Sequence, residues 1–437
     1  MDLTTIALIG VGLFLLLMFL KMPIGLAMAL AGFIGISLVR GIAPALGNVS
    51  VIAYSTATSY HLSVIPLFVL MGVFAGYGGV SKNAFSTLNK WIGQLRGGLA
   101  MATTGACSAF GAVCGDHIAT AATMCSAALP EMRRYKYNDE LSLGCIAAGG
   151  NLGFLIPPSA AFIIYGFVTQ TSIGALFAAG ILPGILLTLL FWITIYLLCR
   201  LDPSLAPPGP KVSWMERLKA IRGIWGIFLL FIIVMGGIYT GIFTPTEAGA
   251  VGAFAAFILG VASRQLSWQG FVHSLGETIA TTAMIFLLII GAMIFSTFLV
   301  SAEVAITVGN FIEGWDVNRY VILAIILLFY VITGFFMDIF ALLLVSLPIV
   351  FPIVAGPLGF DPVLFGVLSV LTIMMGSISP PVGVVVFAVY GIVREVPLFT
   401  IFRGCMPFLG AMFICLIILV AFPQISLVLP GLMLPYQ

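Results

Sequence analysis

Two proline pairs, Pro157-Pro158 and Pro380-Pro381, stand 223 residues apart in a chain of 437, and each interrupts an apolar run. Proline has no N–H and its ring clashes with the carbonyl four residues back, so neither run can be one unbroken helix. The pairs strip the helical donors from the carbonyls of Gly153 and Phe154, and from those of Gly376 and Ser377. Hydrophobic residues make up 62% and charged residues 7% of the chain, and the mean hydropathy is +1.23. A soluble domain carries about 25% charged residues, so the composition is that of a polytopic membrane protein. At membrane depth, broken backbone is tolerated only where protein buries it or it lines a cavity. Two matched breaks of this kind point to the core of a transporter.

Spans need about 20 apolar residues. They are predicted at 3–20, 22–39, 61–79, 141–168, 173–199, 224–243, 246–263, 278–300, 362–393 and 404–424. Met1 to Leu20 lacks a basic start and a small-residue cleavage site, so it reads as a first span and not a cleaved leader. Two segments do not fit. Residues 97–130 hold two arms around Asp116, and 321–353 hold two around Asp338. The second arms, 13 and 15 residues long, reach roughly 20 and 22 Å against a core of ~30 Å. Both segments are predicted to be re-entrant helical hairpins.

The landmarks recur at a nearly constant offset. Pro23 and Pro245 are 222 apart, as are Asp116 and Asp338, and Pro183 and Pro407 are 224 apart. Tyr165-Gly166 has a loose counterpart in Tyr390-Gly391. The predicted fold is all-α, an inverted repeat of five spans plus one re-entrant hairpin in each half, in the manner of elevator-type ion transporters. The first repeat covers 1–200, a cytoplasmic connector with an interfacial helix 201–222, and the second repeat 223–437. Within the connector, DPSLAPPGP is a stiff extended link, and KVSWMERLKAIR sets Trp214, Leu218 and Ile221 on one face with Lys211 elsewhere, as in a helix lying on the membrane. LSWQGFVHSL at 266–275 reads as a similar surface linker. Crossing at each span from an outside N-terminus puts 15 of the 17 basic residues inside. The positive-inside rule therefore predicts periplasmic N- and C-termini.

Chemistry is expected where the breaks meet the hairpin tips, Cys114-Gly115-Asp116-His117 and Thr333 to Asp338. Freed carbonyls are hard donors suited to Na⁺, and helix N-termini favour a carboxylate. The candidate Na⁺ set is Cys114, Gly115, Asn151, Gly153, Phe154 and Pro157 in the first half, with Thr333, Gly334, Met337, Gly376, Ser377 and Ser379 in the second. The candidate substrate set is Asp116, His117, Ser159, Asp338 and Gly383. Asp116 and Asp338 are the acidic residues deep in apolar sequence; intramembrane carboxylates are costly and usually functional, although Asp also caps helices well. His117 is a candidate proton carrier, His61 and His273 sit at span edges, and Glu247 reads as structural. The cysteines form no metal-type spacing and read as small packing residues. No cofactor, no metal beyond Na⁺ as coupling ion, and no nucleic-acid partner is expected.

The runs FGAVCGDHIATAATM, LPEM, AAGGNLGFLIPPS, IYGFVTQTSIGALFAAGILPG, FFMDIFALLL and GSISPPVG resemble the large membrane subunit of tripartite ATP-independent periplasmic (TRAP) transporters across essentially the whole chain. The resemblance implies a bacterial inner-membrane protein that works with a small four-span membrane subunit and a periplasmic solute-binding protein. It implies Na⁺-driven uptake of a carboxylate substrate by an elevator movement of the hairpin-bearing domain. The first tip departs from the family pattern, since members commonly carry Ser-Gly-Ser-Ser-like hydroxyls where this chain has Cys114-Gly115-Asp116-His117. Two other classes share features. A self-sufficient divalent-anion symporter or cation–proton antiporter uses the same hairpin plan. An intramembrane aspartyl protease also needs two membrane aspartates, but Asp116 follows Val-Cys-Gly and Asp338 follows Phe-Phe-Met, not Gly-x-Gly.

Overall fold

The computed structural model describes residues 2–209, 212–313 and 317–433, so Lys211 of the connector and both chain ends lie outside the described residues. Every element among the described residues is helical. The first half runs α1 (Leu3–Phe19), α2 (Ile24–Arg40), α3 (Ile42–Ala57), α4 (Val64–Tyr77) and α5 (Val80–Ile92), then α6 (Gly98–Cys114), α7 (His117–Arg134), α8 (Asp139–Leu155), α9 (Ala160–Thr169) and α10 (Ile173–Leu201). The second half runs α11 (Trp214–Phe231), a π turn Ile232–Gly236, α12 (Gly237–Tyr239), α13 (Pro245–Ala262), α14 (Trp268–Ser301) and α15 (Val304–Glu313). It continues with α16 (Arg319–Gly334), α17 (Ile339–Ala355), α18 (Pro362–Ser377), α19 (Val384–Ile392), α20 (Leu398–Ala421) and α21 (Gln424–Leu432).

The apolar runs become helices whose ends carry local stop signals. Thr244 and Ser213 close capping boxes with Glu247 and Glu216, each satisfying two otherwise orphaned donors. Glu247 therefore serves the start of α13, the structural use its position predicts. Both Pro-Pro peptides, which are cis, fall between helices, at α8–α9 and α18–α19. The α8–α9 pair bends by 40° across its break.

Several boundaries differ from the sequence reading. The hairpin arms α7 and α17 are 18 and 17 residues long, because Pro130 in one and Pro348 and Pro352 in the other lie inside the helices. They reach ~27 and ~25 Å, so length does not separate these hairpins from spans. The connector helix is not a separate surface element: α11 starts at Trp214 and runs on into the next apolar stretch. Likewise 268–275 is the first part of the 34-residue α14, not a linker. Residues 42–57, outside the predicted spans, form α3. Among the described residues six helices are long and apolar enough to cross a membrane, seven with the bent α8–α9 pair. The other predicted spans rest on α1 and α2, of 17 residues each, and on α18, of 16.

Packing is reciprocal between the halves. Helix α2 lies along α14 and α13 along α4; α7 meets α19 and α17 meets α9; α8 meets α20 and α10 meets α18. Each half completes the other, and the buried apolar side chains form one continuous core.

Candidate functional site

Each hairpin tip is a helix stop and a helix start set against the broken helix of its own half. In the first, α6 ends at Gly115, whose φ of +65° is the left-handed conformation that glycine adopts without strain. Asp116 then caps α7, its Oδ1 accepting from the Ala119 N–H at 2.7 Å. The Ala160 N–H, just past Pro157-Pro158, donates to the Gly115 carbonyl at 3.3 Å. Tip and break are thus hydrogen-bonded to each other. In the second half Asp338 caps α17, accepting from the Phe340 N–H at 3.0 Å.

Glycine sets the distance between tip and break in both halves. A methyl group on Gly111 would fall 2.6 Å from the Gly153 Cα, and one on Gly376 would fall 2.5 Å from the Gly334 carbonyl carbon. Gly111 and Gly334 are 223 apart, as are Gly153 and Gly376, so one backbone contact is made twice. Sequence reasoning missed Gly111, although that offset from Gly334 could have found it.

The freed carbonyls are only partly free. Ser159 Oγ donates to the Phe154 carbonyl, and the Ser379 N–H donates to the Gly376 carbonyl at 3.0 Å. Among the described residues no hydrogen bond reaches the carbonyl of Gly153 or that of Ser377. One carbonyl in each half therefore keeps its acceptor capacity, and it is not the repeat-equivalent one. The Asp116 carbonyl and the Thr120 hydroxyl lie beside Gly153, and Thr120, which the sequence did not flag, donates to that Asp116 carbonyl.

The remaining candidates divide as follows. Asn151, fully buried, donates from Nδ2 to the Met374 carbonyl at 2.9 Å and accepts from Ser377 Oγ at 3.0 Å, pinning the two broken helices together. The Thr333 carbonyl already accepts from the N–H groups of Phe336 and Met337, so it serves the tip turn. Ser379 Oγ returns to the Met375 carbonyl. Met337 is buried, and Gly383 starts α19 with φ +58° beside the Phe402 ring. Ser159 is fully buried, capping α9. His117 is buried with neither ring nitrogen bonded among the described residues. Its ring lies 4.1 Å from that of Phe154, which lies 5.2 Å from Phe340, so three rings connect the two tips.

A cavity of about 390 Å³ opens beneath the first tip, a volume in the range of small-molecule sites. Cys114, Gly115, Asp116, Pro158 and Ala160 form one side; Phe68 and Val73 of α4, with Glu277, Thr281 and Met284 of α14, form the other; Phe340 closes it. Of the five substrate candidates only Asp116 lines this cavity. His117 and Ser159 are packed behind it, and Asp338 and Gly383 lie at the other tip and break, so these four do not reach it. Glu277 was missed because its helix was expected to start at 278; in the continuous α14 it sits well inside. Cys114 is the one partly exposed cysteine, the other six being buried. The packing role predicted for cysteines therefore suits those six.

At the cytoplasm-predicted end of the hairpin, Arg133 of α7 pairs with Asp139 at 3.1 Å and with Glu395, between α19 and α20, at 2.8 Å. The guanidinium holds the Glu395 carboxyl below the usual glutamate range.

Polytopic helices, paired hairpins set on broken helices and a cavity between two helix groups define a membrane-embedded transporter. The chain matches the family described as the tripartite ATP-independent periplasmic transporter, DctM component, over residues 11–425. It belongs to that family, the large permeases of these secondary transporters. It is 36% identical to the C4-dicarboxylate TRAP transporter large permease protein DctM of Pseudomonas aeruginosa, covering 86% of this chain and 88% of that one. It is 35% identical to the sialic acid TRAP transporter large permease protein SiaM of Vibrio cholerae, with the same coverage. It is 33% identical to the ectoine TRAP transporter large permease protein TeaC of Halomonas elongata, over 95% of this chain and 97% of that one. The crystal structure of the Alcanivorax borkumensis YdaH transporter is similar in fold, with a TM-score of 0.57 at 14% identity over 90% of this chain and 88% of that one.

Proposed function

We propose that this chain is the translocating subunit of a Na⁺-coupled importer of small organic acids. In this reading a periplasmic solute-binding protein delivers the substrate, and a small four-span membrane subunit completes the complex in the bacterial inner membrane. The single observation that carries it is the cavity's position: one wall is a hairpin tip with its helix break, the other α4 and the 34-residue α14. A block built from the hairpins and broken helices could carry substrate past such a frame. Na⁺ takes several hard oxygen ligands. The Gly153 carbonyl, which has no donor among the described residues, is an oxygen of that kind, and the Asp116 carbonyl and Thr120 hydroxyl lie against the Cα of the same residue; the Ser377 carbonyl, on a residue bonded to Asn151, is another. Here Na⁺ is the coupling ion, a co-substrate and not a resident cofactor. The relatives named for C4-dicarboxylates, sialic acid and ectoine all carry substrates that contain a carboxylate.

The test is uptake in proteoliposomes holding the three components, with Na⁺ and proton gradients imposed separately. Uptake that needs all components and the Na⁺ gradient is expected. Uptake by the large chain alone would favour a self-sufficient carrier. The inverted arrangement of the halves, with both termini periplasmic, predicts that a reporter cysteine in 201–222 is labelled only from the cytoplasm and one in 355–361 only from outside. Labelling of both from one face would overturn it.

A further inference from the structure

Where α5 ends and α11 begins, three side chains form a cluster that transport through the cavity does not use. Trp91 donates from Nε1 to the Arg217 carbonyl at 3.2 Å, and its ring stands edge-on to that of Trp214, with centroids 6.1 Å apart. The Arg217 guanidinium lies 5.3 Å over the Trp214 ring, within cation–π range. Further along the same seam Thr87 donates to the Ala220 carbonyl at 2.8 Å, so side chains of α5 pin it to the backbone of α11. No acid answers the guanidinium. The ion pairs among the described residues are made by Arg133 and Arg134, and the neighbouring Glu216 is engaged in the capping box with Ser213. Arg217 Nε is buried with no hydrogen-bond partner among the described residues. A buried charged donor left unmade is costly, and a phosphate offers a guanidinium the paired oxygens it binds best.

Depth follows from the charges along the chain. No residue between Arg222 and Glu247 is charged. The helical run from Trp214 to Tyr239 has 26 residues, ~39 Å against a hydrocarbon core of ~30 Å. Its charged first turns, Arg217 among them, therefore stand at headgroup level, where tryptophan is also favoured. From there Trp214, Leu218, Ile221, Trp225 and Phe228, all exposed, follow one another at steps of four, three, four and three residues. That spacing makes one apolar stripe running from the headgroups into the membrane. The first nine residues of α11 carry Arg217, Lys219 and Arg222 against Glu216 alone, so a headgroup of net negative charge is favoured over a zwitterionic one.

We infer that α5 and α11 form a binding site for an anionic phospholipid, its phosphodiester held by Arg217 beside the Trp91–Trp214 pair and an acyl chain laid along the stripe. The stripe is what selects a lipid over free phosphate. Through α13, which packs on both α11 and α4, a lipid held here would set the depth of the frame that faces the hairpin tip.

The experiment reconstitutes the full chain in bilayers whose phosphatidylglycerol or phosphatidylcholine carries brominated acyl chains, which quench nearby tryptophan fluorescence. The Trp214 component is the difference between wild type and Trp214→Phe. It should be quenched at an about fivefold lower mole fraction of the brominated phosphatidylglycerol, the gain one basic residue makes beside an anionic membrane. Arg217→Gln should remove that preference and Arg217→Lys keep part of it, while Lys219→Gln leaves most of it in place. Both leaflets hold the same lipid, so the outcome is independent of the chain's orientation and of its transport activity.

Equal quenching by the two lipids in wild type, a result that needs no variant of Arg217, overturns the inference. Equal losses in Arg217→Gln and Lys219→Gln would show a diffuse basic field in place of a site, and overturn it too. Loss of the preference on adding inorganic phosphate at constant ionic strength would show a phosphate site that needs no lipid. If co-reconstitution with the small membrane subunit shields Trp214 from both lipids, a protein covers the stripe and the inference falls.

Discussion

The two hairpin tips share one backbone plan and differ in what they open onto. In each, an aspartate caps the second arm, and a glycine contact seats the tip on the broken helix. The first tip faces a cavity with Cys114 and Asp116 on its wall; the second sends Phe340 into that cavity and keeps Asp338 out of it. The breaks differ as well. Ser159 serves the Phe154 carbonyl through its side chain, whereas Ser379 serves the Gly376 carbonyl through its backbone. The comparison teaches that contacts made by backbone recur in both halves, while side chains are free to specialise them.

The largest effect is expected where the halves are most alike. Gly111→Val and Gly376→Val should each destabilise the protein by about 1–3 kcal/mol, the usual cost of overpacking, measured by thermal unfolding in detergent. If one half tolerates the change, its tip is not seated as tightly as the other and the shared plan fails.

A difference is expected at the aspartates. Asn keeps a capping oxygen and removes the charge, so Asp116→Asn and Asp338→Asn should both leave the melting temperature nearly unchanged, and Asp→Ala at either should cost ~1 kcal/mol. Transport should separate them: Asp116→Asn should weaken apparent affinity about tenfold, with Asp338→Asn shifting it less. Equal shifts would place both carboxylates in the transport chemistry.

A smaller contrast concerns the serines. Ser159→Ala leaves the Phe154 carbonyl without its donor and removes the α9 cap, a loss of about 1–2 kcal/mol. Ser379→Ala keeps the backbone N–H on Gly376 and should cost about 0.5 kcal/mol. Chemical denaturation of the two variants side by side measures the gap.

The smallest effect lies at the Arg133 cluster, which the second half lacks, since the position 223 beyond Arg133 is Gly356. The Glu395 carboxyl titrates below its ordinary value because of Arg133. Its contribution is therefore present above the ordinary glutamate value of about 4.3 and fades as pH falls through the lower folded value. The pair is exposed, so the gap in melting temperature between wild type and Glu395→Gln should be small at neutral pH, close on acidification and shrink in high salt. A gap that widens in acid would contradict the assignment.

Much of the plan was legible in the sequence because it is written in residues with single-valued physics. Proline pairs cannot sit within a helix, and aspartates flanked by apolar runs must cap or bind. A nearly constant offset between such residues pairs landmarks of one half with those of the other. The helix limits were less legible. Pro130, Pro348 and Pro352 stay inside helices that tertiary packing supports, and Ser267 to Leu275, polar enough to read as a linker, is the opening of α14. The cavity was hidden for a different reason: its walls come from α4 and α14, helices of opposite halves, and no local pattern announces which faces meet. Which carbonyls remain free depended on serine rotamers and one backbone turn, which spacing cannot specify.

The hydrogen bond from Asn151 to Met374 joins residues 223 positions apart, the same offset that separates the two proline pairs. Under the twofold relation proposed for the halves, a position touches its own counterpart only on the symmetry axis. There, a protein made of two identical copies would confront every side chain with its own image, so that one codon change would alter both partners at once. Fusing the copies into a single gene lifts that constraint. Asparagine on one side can then face methionine on the other and take its backbone carbonyl as acceptor, an unequal pairing of side chains that no homodimer with exact symmetry could encode.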